Sequence, residues 1–246
     1  MTNFDVRKLE ELAMNAWPAL QAVSVGGWVF RVSSGCTKRA NSVNALSPWG
    51  NFEEVVRAAE SLYGRCDLPA IFRLSPLAPP ECDAMLQDRG YTHFDQSQVM
   101  LAPIGDERLP DHIEIKEHPS ADWLTNVADA NRISTELRPV HEKIIHAIQM
   151  PAAFATVYQD GIPVGFGLAV RERGMVGLFD IVVSPEARGK GHGRAATQAL
   201  MSWGKRGGAS HAYLQVHAQN MVARSLYAGL GFTEVYGYHY RLPPKR

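Results

Sequence analysis

Residues 182–194 read Val-Val-Ser-Pro-Glu-Ala-Arg-Gly-Lys-Gly-His-Gly-Arg, and this stretch decides the fold. An apolar run rich in β-branched residues precedes it, as in a strand, and a helical pattern of small and apolar residues follows it. Glycines at a strand-to-helix turn let backbone N–H groups converge, and the helix N-terminus adds partial positive charge. The side chains of Arg188, Lys190 and Arg194 add full charges there. The stretch therefore predicts a binding site for a diphosphate.

The glycine spacing excludes two common nucleotide-binding loops. A Walker loop would require Gly-Lys-Ser or Gly-Lys-Thr at its end, which this turn lacks. The dinucleotide fingerprint requires a different glycine spacing and a strand–helix–strand unit with a trailing acidic residue. A glycine-rich turn that only joins a strand to a helix is the alternative.

A second stretch, residues 214–232, repeats the plan of strand, turn and helix. It reads Leu-Gln-Val-His-Ala-Gln-Asn-Met-Val-Ala-Arg-Ser-Leu-Tyr-Ala-Gly-Leu-Gly-Phe. Asn220 is a good N-cap, Ala223 and Tyr227 share one helix face, and a glycine ends the helix. Together the two stretches resemble the acetyl-CoA loop and the strand–helix unit of the GCN5-related N-acetyltransferases (GNAT superfamily). The resemblance extends over residues 112–242.

This resemblance implies an α/β fold, with a mixed sheet flanked by helices, known as the acyl-CoA N-acyltransferase fold. It also implies an enzyme, an acyltransferase that moves the acetyl group of acetyl-CoA directly to an amine. The order of predicted elements in the second half agrees with that fold. It includes a hairpin that turns at Asp160-Gly161, a pair favoured in tight turns.

The resemblance further implies which residues hold acetyl-CoA. Backbone N–H groups of the loop would bind the pyrophosphate, and these belong to Arg188, Gly189, Lys190, Gly191, His192, Gly193 and Arg194. In the family the preceding strand carries a bulge and splays from its neighbour, and pantetheine pairs in the gap. The corresponding residues are Ile181, Val182 and Val183, with Asn220, Ala223 and Tyr227 on the neighbouring helix. Asn220 either contacts pantetheine or only caps its helix.

Tyr227 matches the family's tyrosine that donates a proton to the departing CoA, and packing between helix and sheet is the alternative. The general base departs from the family pattern. One position for a carboxylate is Gln215 here and the other is Gly177, and neither can accept a proton. Asp180 is the candidate, because a buried acid is costly unless it is functional or paired, for example with an arginine. Weaker candidates are His217, Glu136 and a water relay.

The chain also contains an internal similarity. Residues 90–101 align without gaps on residues 231–242, and each stretch follows a strand and a helix. We interpret this as two GNAT-like domains in tandem, residues 1–105 and 106–246, with a linker at Pro103–Pro110. The first lacks the glycine loop and the Asn-to-Tyr helix pattern, so it is expected to be degenerate, and the second to bind acetyl-CoA. Chance similarity is the alternative.

Polar and aromatic side chains outside these motifs predict the acceptor site. Residues 37–44 form a polar, strand-like piece that either lines an acceptor site between the domains, through Arg39 and Asn41, or is a solvated edge strand. Near the end of the sequence, Tyr238 and Tyr240 either wall the acceptor pocket or form a cross-strand packing ladder.

The first half otherwise alternates predicted helices and strands. A strand at residues 28–32 is expected to place Trp28 in the core and Arg31 on the surface. A helix that starts at Asn51 has a side-chain cap, and Ser120 is predicted to cap a helix in the second half.

The chain has 246 residues, with 25 Lys and Arg against 25 Asp and Glu, so its formal net charge is +0. This balance predicts no nucleic-acid partner, and the lack of an apolar run of about 20 residues predicts no membrane span. Three cysteines without paired spacing, and histidines without ligand spacing, predict a reduced cytoplasmic protein without a metal. A monomer is favoured over a homodimer, because an internal repeat can supply what a partner subunit would.

Two other functions stay open. A non-catalytic acyl-CoA-binding sensor would keep the loop and lack a base, although Tyr227 would have no use there. Transfer of an acyl chain longer than acetyl depends on the depth of the pocket. The sequence does not identify the amine acceptor, which ranges from a small amine, an amino acid or an aminoglycoside-like antibiotic to a protein lysine or N-terminus.

Overall fold

The computed structural model describes residues 5–105 and 112–244. In these ranges the helices are Val6–Ala16 (α1), Phe52–Arg65 (α2), Glu81–Asp88 (α3), Ala121–Ala130 (α4), Arg138–His146 (α5), His192–Arg206 (α6) and Met221–Ala228 (α7). The strands are Gln21–Val25 (β1), Trp28–Val32 (β2), Val43–Ala45 (β3), Phe72–Leu74 (β4), Thr92–Pro103 (β5), Ile113–Lys116 (β6), Ala152–Gln159 (β7), Ile162–Glu172 (β8), Met175–Val183 (β9), His211–His217 (β10) and Thr233–Leu242 (β11).

These strands form one mixed sheet. Its order is β1-β2-β3-β4-β11-β5-β10-β9-β8-β7-β6. Strands β3 and β4, and strands β9 and β10, run parallel, whereas the other neighbours are antiparallel. The predicted fold class, a mixed sheet flanked by helices, is confirmed.

The two strands at the middle of the sheet are exchanged between the halves of the sequence. β5 pairs with β10 of the second half, and β11 pairs with β4 of the first. β5 and β11 also pair with each other, Thr92 opposite Leu242 and Leu101 opposite Thr233. β5 and β11 contain the two stretches that align in sequence, in which Thr92 corresponds to Thr233 and Leu101 to Leu242. Each of the two pairs therefore maps onto the other when the halves are exchanged, as in a contact across a two-fold axis.

The exchange joins both halves into a continuous sheet. The boundary predicted between residues 105 and 106 falls between β5 and β6, and the division into two domains stays a prediction. Of the predicted linker Pro103–Pro110, residues 106–110 lie outside the described residues. Pro103 is the last residue of β5.

Side-chain caps and a tight turn set several element boundaries. Side-chain oxygens of Asp5, Asn51, Ser120 and Asn220 accept hydrogen bonds from backbone N–H groups in the first turns of α1, α2, α4 and α7. The predicted caps at Asn51, Ser120 and Asn220 are therefore confirmed. The predicted turn Asp160-Gly161 joins β7 to β8 with φ values of 52° and 77°, as a two-residue hairpin loop requires.

Helices cover both faces of the sheet. α1, α4 and α5 share a core cluster that includes Trp17, Trp123 and Phe179. α6 and α7 share a second cluster around Leu200 and Leu214, and α2 and α3 enclose a third with β2–β4. Over the residues that the structure describes, no helix is long and apolar enough to cross a membrane.

Two expectations about the first half are wrong. Residues 37–44 do not form one strand, because residues 38–40 make a short 3₁₀ helix and strand pairing begins only at Val43, in β3. Arg31 is 5% exposed, and its guanidinium donates to main-chain carbonyl oxygens at the end of α1. The alternation of β2 directs Arg31 toward α1, a contact that local sequence does not reveal. Trp28 lies in the core, as expected.

Candidate functional site

Strands β9 and β10 separate toward their carboxyl ends. They pair from Met175 opposite His211 to Leu178 opposite Leu214, and within the described chain their pairing stops there. Beyond this point a cleft of about 190 Å³ opens between them. The cleft is lined by Arg39, Leu178, Phe179, Asp180, Ile181, Leu214, Gln215, Val216, His217, Asn220, Ala223 and Tyr227.

A β-bulge lies where β9 leaves β10. The pairing of β8 with β9 shifts between Phe166 and Leu168, where β9 advances by three residues instead of two. Asp180 lies in this bulge with a φ of 47°. The bulge that the resemblance implies is therefore present, and residues 181–183 continue from it toward the glycine-rich loop.

The glycine-rich loop leads from β9 into α6. Gly189 and Gly191 have φ values of 79° and 85°, and nothing lies within 4 Å of the place that a Cβ would take at either. Among the described residues, the backbone N–H groups of residues 189–194 find no protein acceptor. Free N–H groups at the N-terminus of a 15-residue helix form a site for an anion.

The charged side chains of the loop contact neutral groups. Arg188 and Arg194 donate to main-chain carbonyl oxygens at 3.1 and 2.7 Å. Lys190 Nζ and His192 Nε2 lie 3.3 and 3.1 Å from Oε1 of Gln159 on β7. Because these partners carry no negative charge, the loop keeps a net positive charge that favours a diphosphate.

Replacing Gly191 tests this loop. We expect Gly191→Ala to weaken CoA binding about tenfold or more, because a Cβ at this φ strains the loop and enters the open space before the N–H groups. Gly50→Ala is the matched control, since Gly50 has a φ of 77° and open surroundings away from the loop. Titration calorimetry with CoA measures the affinities, and equal affinity in the two variants would contradict this placement of the diphosphate.

Tyr227 lies on α7 at the cleft. It is 8% exposed, and its ring packs against Phe232 with the ring centroids 5.8 Å apart. Its hydroxyl has no hydrogen-bond partner among the described residues. Burial raises the pKa of Tyr227 to about 12, so the phenol keeps its proton at neutral pH. A protonated hydroxyl at this place can serve as the acid for a leaving group.

Asn220 and Ala223 line the cleft beside Tyr227. Asn220 Oδ1 accepts from the backbone N–H of Ala223 at 3.1 Å, so this oxygen caps α7. The cap leaves the carboxamide nitrogen of Asn220 for a ligand, and the two roles considered for this residue are compatible.

The two positions for a family carboxylate are filled differently here. A Cβ on Gly177 would lie 2.5 Å from Cζ and Oη of Tyr213, so the ring of Tyr213 takes the space of a side chain. At the other position, Gln215 Oε1 accepts a hydrogen bond from the Tyr238 hydroxyl at 3.1 Å. Neither position therefore supplies a carboxylate.

The stability of a variant with a methyl group at position 177 tests how closely Tyr213 packs against Gly177. We expect Gly177→Ala to lower the free energy of unfolding by about 1–3 kcal/mol, because the core must move to admit the Cβ. In Gly64→Ala, at a helical glycine with nothing within 4 Å, stability is expected to rise by about 0.5–1 kcal/mol. Urea unfolding compares the variants, and wild-type stability of Gly177→Ala would refute the close contact with Tyr213.

Asp180 contacts a histidine instead of an arginine. His141 Nε2, on α5, lies 3.4 Å from Asp180 Oδ2. The imidazole is buried, and its Nδ1 has no partner among the described residues. Within the described chain no arginine pairs with Asp180, whose side chain is 12% exposed and lines the cleft. A carboxylate oriented by an imidazole can accept a proton at this place.

A second cavity, of about 300 Å³, adjoins the cleft. It is lined by Thr37, Lys38, Arg39, Asp95, Ser97, Gln215, His217, Tyr238 and Tyr240. The cavity and the cleft share Arg39, Gln215 and His217. Of the four residues predicted for the acceptor site, Arg39, Tyr238 and Tyr240 are thus brought together.

Asn41, the fourth, has a different position. Its Oδ1 accepts from the backbone N–H groups of residues 33 and 35 at 2.7 and 2.9 Å. Its Nδ2 donates to the carbonyl oxygens of residues 36 and 37 at 2.7 and 2.9 Å. The buried carboxamide therefore fixes the loop that carries Arg39, and Asn41 lines neither the cleft nor the cavity.

Two ionisable residues of the site, Asp95 and His141, were not predicted. Asp95 has a φ of 56° in a shifted part of β5, contacts the ammonium of Lys38, and lies 2.8 Å from His217 Nε2. His141 is the other, and its polar ring among the apolar positions of α5 is a signal that the sequence contains. Asp95 gives no such signal, because it lies in an otherwise polar part of its strand.

The weaker candidates for the base are placed less favourably. His217 Nε2 contacts Asp95, and its Nδ1 accepts from the backbone N–H of Gln219 at 3.2 Å, so both ring nitrogens are engaged. Glu136 is exposed before α5 and lines neither cavity. Over residues 5–105 and 112–244, no group of three or more His, Cys, Asp or Glu side chains could hold a metal ion.

Comparison with known proteins identifies relatives along almost the whole chain. Residues 3–241 match the family described as "Probable histone acetyltransferase Rv0428c C-terminal". The Bacillus subtilis (strain 168) protein named "Uncharacterized N-acetyltransferase YobR" is 33% identical over 246 residues, which cover 97% of this chain and 98% of that protein.

Solved structures share the fold at low sequence identity. A GCN5-related N-acetyltransferase from Kribbella flavida superposes with a TM-score of 0.71 at 16% identity, covering 98% of this chain and 96% of that one. A tandem GNAT protein from the clavulanic acid biosynthesis pathway superposes with a TM-score of 0.65 at 13% identity, covering 97% and 89%.

Proposed function

Since this chain belongs to the family of the probable histone acetyltransferase Rv0428c, and thereby to the GCN5-related N-acetyltransferases, we propose that it transfers the acetyl group of acetyl-CoA to an amine. The observation that carries the proposal is the cleft between β9 and β10. Tyr227 lines this cleft, and so does Ile181, from which β9 continues through residues 182 and 183 toward the glycine-rich loop. The cavity of about 300 Å³ adjoins it through Arg39, Gln215 and His217.

The donor is proposed to lie along this cleft. The N–H groups of residues 189–194, with the uncompensated charges of the loop, bind the diphosphate of CoA. Pantetheine then follows residues 181–183, whose edge β10 leaves open, and Asn220 and Ala223 contact it from α7. This placement brings the thioester to the side of the cleft where Tyr227 lies.

The acceptor is proposed to enter from the adjoining cavity. A primary amine is mostly protonated at neutral pH, so it must lose a proton before it attacks the thioester carbonyl carbon. Asp180, in the bulge and oriented by His141, accepts that proton directly or through water. The neutral amine attacks, a C–N bond forms, and the nitrogen loses its remaining extra proton to water as the adduct collapses. The C–S bond breaks, and the Tyr227 hydroxyl gives its proton to the leaving thiolate and regains one from water.

A binding-only protein is the second candidate, favoured by the lack of a carboxylate at positions 177 and 215. Such a sensor would bind acyl-CoA and release no thiol. Tyr227 is a buried side chain whose hydroxyl has no hydrogen-bond partner among the described residues, and this favours the enzyme, since a binder needs no proton donor at the thioester.

Thiol release separates the two. We expect release of CoA from acetyl-CoA when the protein meets a panel of amines that includes free amino acids, small diamines, an aminoglycoside and a lysine-containing histone-tail peptide. CoA binding by calorimetry is measured in parallel. Tight CoA binding without turnover on any amine would favour the sensor, and no CoA binding would refute the proposal entirely.

A further inference from the structure

We propose that the acceptor carries a carboxylate close to its amine, and that the guanidinium of Arg39 binds this carboxylate. The inference deepens the proposed acetyl transfer and rests on it for the reaction. It assigns a substrate class, small molecules that are both amine and acid, to the cavity beside the cleft.

Arg39 is held in place without an ionic partner. Its guanidinium lies over the ring of Trp17 at 5.0 Å and over the ring of Phe179 at 5.4 Å. Cation–π contact with the two rings holds the guanidinium between them and uses none of its N–H donors. Among the described residues no carboxylate or hydrogen-bond acceptor meets those donors. An immobilised fork of donors is the arrangement that binds carboxylates in two-point contacts.

The carboxylates near Arg39 are engaged with other groups. Glu10 pairs with Arg73, and one of its oxygens also accepts from a tyrosine hydroxyl. Asp95 pairs with Lys38 and with the imidazole of His217. Asp180 contacts the imidazole of His141. Arg39 therefore has no carboxylate partner among the described residues.

The surroundings add positive charge. A narrow space that Arg39 lines is also lined by Arg31, Arg73 and Glu10. Three arginines thus share this space with one carboxylate. Arg31 donates only to main-chain carbonyl oxygens within the described chain. Burial and the charges of Arg73 and Arg39 lower the pKa of Arg31 to about 10. Buried cations without counter-charge are costly, so a bound anion at Arg39 offsets this cost.

The position of Arg39 fixes where the anion lies. Arg39 lines both the cleft and the acceptor cavity, together with Gln215 and His217. A carboxylate bound there leaves its amine at the mouth of the cleft, near the proposed thioester. A lysine side chain of a basic peptide would bring further positive charge to the same place, which Arg39 disfavours.

Matched acceptors test the inference. Rates of thiol release are compared for each protein amino acid and for its carboxamide, which keeps the amine and removes the negative charge, and for a histone-tail peptide. In wild type, for the amino acid that reacts fastest, we expect kcat/KM to be at least about 10²-fold higher than for its own carboxamide. Equal values for acids and carboxamides, or preference for the peptide, would overturn the inference and leave acetyl transfer intact.

Arg39→Gln tests the residue. We expect it to lower kcat/KM for the acid by about 10²-fold, mainly through KM, and to leave the carboxamide nearly unchanged. Arg57→Gln is the control, because Arg57 is exposed on α2 and pairs only with Glu53 within the described chain. Equal loss for acid and carboxamide would refute the assignment. Should Arg39→Gln fail to fold, the wild-type ratio of acid to carboxamide still decides.

A binding measurement keeps the inference independent of turnover. N-acetyl amino acids and their carboxamides, as product analogues, are added to the CoA-loaded protein, and the thermal midpoint is followed. The acids are expected to raise the midpoint in wild type but not in Arg39→Gln. Absence of acid-specific stabilisation across the series would overturn the anion site, whereas stabilisation without turnover would refute only the transfer reaction.

Discussion

Tyr227→Phe is expected to lower the rate of thiol release by about 10²-fold or more at saturating acetyl-CoA, and to leave CoA affinity unchanged. The substitution removes one hydroxyl, which has no protein partner among the described residues, so the packing against Phe232 persists. Because burial raises the pKa of Tyr227 to about 12, its proton is present over the whole range below that pH. The hydroxyl that the substitution removes therefore carries its proton throughout the usual assay range.

Tyr63→Phe is the control for the loss of a buried hydroxyl. Tyr63 is buried in the cluster under α2, and its hydroxyl donates to the carbonyl oxygen of Arg31 at 2.7 Å. This variant should lose about 1 kcal/mol of stability and retain its rate. A wild-type rate in Tyr227→Phe would assign Tyr227 to packing alone.

Glu10→Ala is expected to destabilise the protein by about 3–5 kcal/mol, since it leaves the guanidinium of Arg73 buried without an anion. Glu10 is 1% exposed on α1, and both its oxygens contact Arg73 of β4. It also accepts from the Tyr236 hydroxyl of β11 at 2.6 Å. Burial acts to lower the pKa of Arg73, but attraction to Glu10 outweighs it and holds that pKa well above its ordinary value.

Tyr236→Phe separates the ion pair from its neighbour. It removes one hydrogen bond to Glu10 and keeps the contact with Arg73, so a loss of about 1 kcal/mol is expected. Urea unfolding compares the variants, provided that the slope with denaturant stays constant. A loss below about 1 kcal/mol in Glu10→Ala would mean that water reaches Arg73 and that the pair is not buried in solution.

Local patterns predicted the elements that form much of the candidate site. Strand, glycine turn and helix are adjacent in the sequence, so the loop at 188–194 and the helix carrying Tyr227 follow from spacing and capping alone. The predicted fold class came from the family resemblance that these two stretches carry. Hydrophobic periodicity and N-caps depend on residues a few positions apart, so both can be recognised in a single sequence.

Contacts between distant segments were not predictable in the same way. From the sequence, Arg31 of β2 is predicted to lie on the surface. In the structure it is covered by α1, whose carbonyl oxygen at Met14 accepts from its guanidinium. The exchange of β5 and β11 leaves no local mark, because either order satisfies the alternation of each strand. Asp95 and Asp180 lie at irregularities of their strands, where each has a positive φ. The alternation of side chains along a regular strand does not predict such irregularities, and so it did not predict these positions.

The exchange of β5 and β11 constrains the order in which the chain can fold on the ribosome. β11 is the last of the described strands to be translated, yet it lies between β4 and β5. Until residues 233–242 leave the exit tunnel, β4 and β5 each present an unpaired edge, and unpaired edges invite association with other chains. Either rapid completion of the chain or a chaperone would therefore protect the edges of β4 and β5 until β11 pairs with both.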